Sequence, residues 1–318
     1  MTVPCTYQQI GELTANLSGL LGAVPPFSTG TPVPELSVHS DSAPTVYLKD
    51  NPSQADPLTR TVERAAGHIQ AVNPITHETD HVTRLLVGVA AMRNLHMLTS
   101  DPARNPTFTL FADPDYFICA GGSSCPVGTQ VTEPPAFAWN HGDVSPDINT
   151  TWLGLVGPGV RHLGVDNTTW SDHADDRPTV LALLGLQDDY RHEGRVLAEA
   201  LDRQAVRGLG DVDAYLRLAA IYKQLNAPVG QFGLATLRAS TTALESGPAS
   251  KDSTYTTVTQ QLTDLGTARD SLAARMAEVL DRPVSTVGPD RGQDGGSLRE
   301  LGDRGVALLQ RAWLTAGD

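Results

Sequence analysis

Nowhere does the chain run for about 20 apolar residues, so no transmembrane helix is expected. Basic residues are scarce: 23 Lys and Arg stand against 36 Asp and Glu, a formal net charge of −13. That balance argues against a nucleic-acid partner, because phosphate binding needs clustered cations. The opening stretch, MTVPCTYQQIGELTANLSGLLG, lacks a basic start followed by an apolar core, so it does not read as a signal peptide. No internal repeat and no long low-complexity tract is present.

Cysteine is limited to three residues. Cys119 and Cys125 bracket Ala-Gly-Gly-Ser-Ser, a turn that permits a small disulfide loop, yet spacing alone leaves a pair of reduced loop thiols equally open. No second Cys or His pair sits nearby, which disfavours a Cys-based zinc site. A disulfide would place the chain in an oxidising compartment. Together with the missing export signal, this hints that Met1 is a late start, and Cys5 has no evident partner.

What remains is ordinary globular composition, 40% hydrophobic and 19% charged. A helix is expected over about residues 6–21, followed by the linker VPPFSTGTPVPEL. Thr45, Val46 and Tyr47 favour a strand. Leu58, Val62, Ala65, Ala66 and Ile69 fall at helical spacing after Pro57, which suits a first turn. A second helix is expected over ETDHVTRLLVGVAAM. His77 and His81 sit four apart, but no Glu follows His77 and no third ligand is evident, so a solvated helix start is the favoured reading.

LHMLTSD and TFTLFADPDYF read as strands, the latter alternating Phe108, Leu110 and Ala112 against Thr107, Thr109 and Phe111. TTWLGLVGPGV reads as an apolar strand buried on both faces. RPTVLALLGLQDDY reads as a helix with Leu181 and Leu184 inward and Gly185 at its end. Strands alternating with helices indicate α/β architecture. Beyond about residue 205 the pattern becomes wholly helical, with Leu262, Leu265, Leu272, Met276, Val279 and Leu280 forming a packing stripe and GPDRGQDGGS a flexible linker. The expected division is therefore 1–204, including a small insert at about 36–95, and a helical appendage over 205–318.

One constellation carries chemistry. TFTLFADPDYF, then the Asn-His-Gly-Asp turn, then LVGPGV, then SDHADDRPTVLALLGL occur in this order over roughly a third of the chain. The set resembles the C-terminal part of the alkaline phosphatase superfamily, especially its type I phosphodiesterase and nucleotide pyrophosphatase branch. The resemblance implies a mostly parallel sheet flanked by helices, partial in this chain, with two divalent metals, usually zinc, at the C-terminal strand ends. It implies metal-assisted hydrolysis of a small phosphate ester through a covalent Ser or Thr intermediate.

His141 matches the family's late His ligand, and neutral imidazole suits zinc at about 2.0–2.1 Å. The alternative is a His hydrogen-bonded at a strand end. Asp143 either reaches the site or caps the turn. Asp172 and His173 are candidates for supporting contacts near the metals, whereas Asp175 and Asp176 read as helix-capping acids. Asn140 is a poor zinc ligand, and His162 and His192 read as surface residues.

The family's nucleophile, its Asp-x-x-x-His pair and its Asp-His-Gly motif find no match ahead of residue 136. Asp188 and His192 have the Asp-x-x-x-His spacing but lie after the Pro-Thr helix, where they are expected to close it. Ser42 and Thr45 fall in what resembles the family's small insert and not its nucleophile. The chain is thus expected to be the C-terminal portion of a phosphodiesterase or phosphatase, inactive alone. It would be secreted or periplasmic in a complete form whose start lies upstream. The competing readings are a non-catalytic binding or structural module, and a sulfatase or phosphomutase of the same superfamily.

Overall fold

The computed structural model describes residues 13–39, 43–122, 125–133, 141–186, 188–247, 252–282, 284 and 295–317. Cys5, Ser42, Asn140, residues 6–12 of the expected first helix and most of the linker before the last helix lie outside them. The chain is a mixed α/β protein and divides into two compact units: Met1–Thr151 with Leu237–Gln260, and Trp152–Thr236 with Gln261–Asp318. The helical region after residue 205 is therefore shared between the two units. No helix among the described residues is long and apolar enough to cross a membrane.

The first unit holds all the strands found among the described residues. In chain order these elements are β1 (Leu13–Asn16), α1 (Leu17–Gly22), β2 (Leu36–His39), β3 (Thr45–Leu48), α2 (Pro57–Ala66), β4 (Gln70–Val72), β5 (Thr79–His81), β6 (Thr83–Val87), α3 (Val89–Asn94), β7 (Phe108–Ala112), β8 (Tyr116–Cys119), β9 (Val131–Thr132) and α4 (Pro146–Asn149). β2-β3-β7-β6 form an antiparallel sheet, β8-β1-β9 a second small sheet, and β4-β5 a hairpin. Only β1 with β8 pairs parallel among the described strands. The expected mostly parallel arrangement is thus not the pattern seen.

Leucine and alanine supply most of the first core, joined by β-branched and aromatic residues of the strands. Val46, Leu86, Phe108 and Leu110 of the four-stranded sheet are buried with Val62, Ala66 and Ile69 in one cluster. α2 starts as its sequence dictates: Pro57 occupies the first turn, and the Asp56 side chain accepts the Leu58 N–H at 2.8 Å. Cys119 and Cys125 form a disulfide, their Cα atoms 5.9 Å apart. The chain just beyond is held to α1, since the Asn16 amide donates to the Pro126 carbonyl at 2.9 Å.

Three expectations for this unit are corrected. ETDHVTRLLVGVAAM is not one helix but β5, β6 and then α3. The β-branched Val82, Thr83 and Val87 fit the sheet, and β6 pairs with β7. His77 consequently sits in the β4-β5 turn at φ 62° rather than at a helix start, and His81 pairs with Gln70. LHMLTSD is no strand: Leu95 closes α3 and His96 turns the chain at φ 58°.

The second unit contains α5 (Asp176–Leu184), α6 (Val212–Asn226), the start of α7 (Gln231–Glu245), most of α8 (Ser253–Leu280) and α9 (Gly295–Ala316). α6 packs along α9. Gly305 permits this approach, because a Cβ there would meet Ile221 at 2.5 Å. Leu265, Leu272, Met276 and Leu280 of the sequence-derived stripe are buried in this core. α5 ends at Gly185, φ 68°, as its sequence indicates. Leu184, however, is exposed and Ala182 is the buried residue of that turn.

The largest correction concerns TTWLGLVGPGV. It forms no strand and is not buried: residues 151–157 adopt no regular structure, and Val160 makes only an isolated bridge to Leu201. An apolar strand needs a neighbour on each edge, and residues 152–156 have none among the described residues.

Candidate functional site

His141 lies at the surface of the first unit, immediately before Gly142 at φ 94°, a conformation suited to glycine. The turn beneath it is firmly built. Asp143 is 4% exposed, and its Oδ1 accepts the Ser145 N–H at 2.6 Å. Its carbonyl accepts the Asn149 amide at 2.5 Å, tying the turn to α4. Asp143 Oδ2 is buried without a hydrogen-bond partner among the described residues. Burial pushes the Asp143 carboxyl above the ordinary range, against the pull of the Ser145 N–H and the Arg84 charge. The turn therefore presents one imidazole outward and holds one carboxylate under it.

Asp172 and His173 belong to the second unit, whereas His141 and Asp143 belong to the first. Asp172 caps the 3-10 turn His173–Asp175, accepting the Ala174 N–H at 3.1 Å, while Asp175 Oδ2 accepts the Asp172 N–H at 3.2 Å. The capping expected of Asp175 is thus present, reciprocally with Asp172, whereas Asp176 Oδ1 is buried without a hydrogen-bond partner among the described residues. His173 is exposed. Asp188 accepts hydrogen bonds from Nε and Nη2 of Arg177, each at 2.7 Å, and lies 3.6 Å from His192, which ties the segment after α5 back to that helix. The Arg177 bond holds the Asp188 carboxyl well below the usual range.

The same region contains a buried charge network that the sequence does not announce. Lys223 Nζ, on α6, reaches Asp172 at 2.9 Å and Asp175 at 3.2 Å, and sits 5.8 Å over the Trp170 ring. Asp175 is fully buried and also accepts the Arg195 backbone N–H at 2.8 Å. Burial raises its carboxyl, opposed first by the Lys223 charge. Arg195, itself buried, donates to Glu199 at 2.7 Å and to the Trp170 carbonyl at 3.3 Å.

Beside this network opens a groove of about 820 Å³. Ile221, Leu309 and Trp313 give it an apolar wall, and Gln224, Gln310, Arg195 and Glu199 a polar one. That volume is within the usual span for small-molecule sites, about 300–1,000 Å³. Helical periodicity marked α6 and α9, but nothing local told which of their faces would part to leave a cleft.

Among the described residues, no group of three or more His, Cys, Asp or Glu side chains is arranged to hold a metal ion. Thr45 begins β3, in the antiparallel sheet. Compared with protein-family models, with curated proteins and with solved structures, the chain matches none.

Proposed function

We propose that this chain is part of a metal-dependent phosphoric-ester hydrolase of the alkaline-phosphatase-like kind, in which His141 is one ligand of a two-metal centre. The observation that carries the reading is the His141 turn: an exposed imidazole on a backbone clamped from below by buried Asp143. The order of the four motifs in the sequence supports it, while LVGPGV, which forms no strand, does not add to it. In this reading β1 and β8 are a parallel pair of the family's larger sheet.

One imidazole is not a zinc site, since a catalytic zinc takes about three protein ligands and an open position. Bound zinc would act as a Lewis acid on the phosphoryl group. This chain's own part is narrower: His141 supplies a nitrogen donor, and Asp143 fixes the turn that presents it. Imidazole suits zinc among other metals, and zinc, two ions in a complete member, is the metal the resemblance implies.

The purified chain is accordingly expected to hydrolyse bis-p-nitrophenyl phosphate no faster than buffer, with no change on adding a chelator. Turnover that a chelator abolishes would overturn the reading of an incomplete centre.

The groove favours a second reading, a non-catalytic binding module that uses its helical region. Zinc that binds in a His141-dependent way supports the hydrolase reading. A chain with no such binding, whose tryptophan fluorescence instead responds to a groove ligand, supports the module.

A further inference from the structure

The groove lined by α6 and α9 lies wholly within the second unit. Its chemistry is of three kinds. Two half-buried indoles, Trp170 and Trp313, offer flat apolar surface. Three amides, Gln224, Gln231 and Gln310, each carry donors and an acceptor. An ion pair, Arg195 with Glu199 at 2.7 Å, makes the floor. Much of this polar capacity is open to a ligand. Gln224 Oε1 accepts the Gln231 N–H at 3.2 Å, but the Gln224 NH2 donates to nothing among the described residues. Glu199 Oε2 accepts from Arg195, whereas its Oε1 accepts nothing among them, and Arg195 Nε is buried without a partner.

These groups discriminate between classes of ligand. A wholly apolar molecule would take the amides and Glu199 out of water and return no hydrogen bond, which is unfavourable. An anion would meet a single lining cation whose guanidinium already holds Glu199 and, at 3.3 Å, the Trp170 carbonyl, in a chain of net charge −13. A cation would find the one carboxylate among the described lining residues neutralised by Arg195. The whole lining is satisfied by a molecule that is neutral, rich in hydroxyls and still apolar on its faces. A pyranose ring has those properties: its C–H faces lie flat against an indole, and its hydroxyls donate to a carboxylate while accepting from an amide NH2.

We infer that the groove is a binding site for a neutral saccharide, which stacks on Trp313 and Trp170 and hydrogen-bonds to Gln224, Gln310 and Glu199 Oε1. Its volume of about 820 Å³ gives room for an oligosaccharide. The inference rests on the binding-module reading given above and names its ligand class; it needs neither a metal nor His141.

Probing an array of neutral, uronic-acid and sulfated oligosaccharides with the full chain tests it, followed by calorimetric titration with the best-bound glycan. The expected result is selective binding of a neutral glycan. Trp313→Ala should weaken it by about tenfold or more, since a buried tryptophan contact usually dominates a site. Gln310→Ala should weaken it severalfold, and because Gln310 is exposed this variant keeps the test decisive even where circular dichroism shows Trp313→Ala to be misfolded. Trp152→Ala, which removes an 88% exposed indole outside the groove, should leave binding unchanged. Affinity should not vary between about 50 and 500 mM NaCl, because no net charge is exchanged. No glycan bound, a preference for the acidic glycans, or binding indifferent to both groove variants would overturn the inference. The neutral apolar probe N-phenyl-1-naphthylamine separates two kinds of failure. Its uptake, lost in Trp313→Ala, with no glycan bound would keep the groove as a site and sink the saccharide. Uptake of neither would remove the binding-module reading as well.

Discussion

Replacing Arg60 with Ala is expected to cost the first unit about 3–5 kcal/mol, the usual penalty for removing one partner of a buried pair. Glu63 is fully buried on α2, and Arg60, 3% exposed, donates to its Oε2 at 2.8 Å. Arg60 also reaches Asp252 at 2.8 Å and stacks its guanidinium 3.7 Å from the Tyr255 ring centre. Without Arg60 the Glu63 carboxyl would stay in the core with no cation to offset its burial, its Oε1 already lacking a hydrogen-bond partner among the described residues. Urea denaturation measures the loss. Arg60→Met combined with Glu63→Leu should lose much less, because no orphaned charge remains.

The same carboxyl sets a pH dependence. Burial pushes Glu63 up to about 7 from its ordinary 4.5, although Arg60 pulls it down. Between these two values the unfolded chain releases the Glu63 proton and the folded chain keeps it. Stability from this group is therefore fully present below about pH 4.5 and is lost as pH rises through about 7. Glu63→Gln should flatten that part of the stability–pH curve relative to wild type. A difference curve rising with pH would contradict the assignment.

Lys223→Met should be comparably damaging to the second unit, about 3–5 kcal/mol, because it strands Asp175 in the interior and removes the cation beside Asp172. The Arg195 and Asp172 N–H groups would remain on Asp175, but two backbone donors do not replace an ammonium at 3.2 Å. Adding Asp175→Asn should restore part of the loss, while Asp175→Asn alone leaves Lys223 buried with a weaker set of partners. Loss of helical ellipticity in urea reports all three variants.

These two networks show where reading a sequence stops. α2 and α5 were legible because caps, Pro placement and a terminal Gly are local signals, and β3 and β7 because β-branched and aromatic residues cluster there. The packing stripe of α8 was legible from its period. The β5–β6 region was not, since LLVGVAAM satisfies helical spacing and only pairing with β7 decides for a strand. Arg60 meets Asp252 across 192 residues and Lys223 meets Asp172 across 51, separations that no local pattern encodes. The misreading of residues 152–156 has a different origin. Trp152, Leu153, Leu155 and Val156 have the composition of a strand, but a strand forms only against neighbours that the described residues do not supply, and none forms there.

For the site, the His141 turn could be found from its motif, whereas the clamp by Asp143 and Asn149 needed coordinates. The groove and its Arg195–Glu199 floor had no sequence signal at all. Asp172 illustrates the ambiguity of acidic runs: the same residue suits a metal-supporting role and a helix cap, and here it caps through the Ala174 N–H and pairs with the Lys223 ammonium.

The claim on which the functional reading turns is that His141 is a metal ligand. Imidazole NMR during a zinc titration tests it most directly, because the nine histidines of the chain report side by side. The account predicts that the His141 resonances shift at lower zinc than those of the exposed His39, His162 and His173, and that His141→Ala removes this earliest event while leaving the others in place. His141 responding together with or after those residues would contradict it.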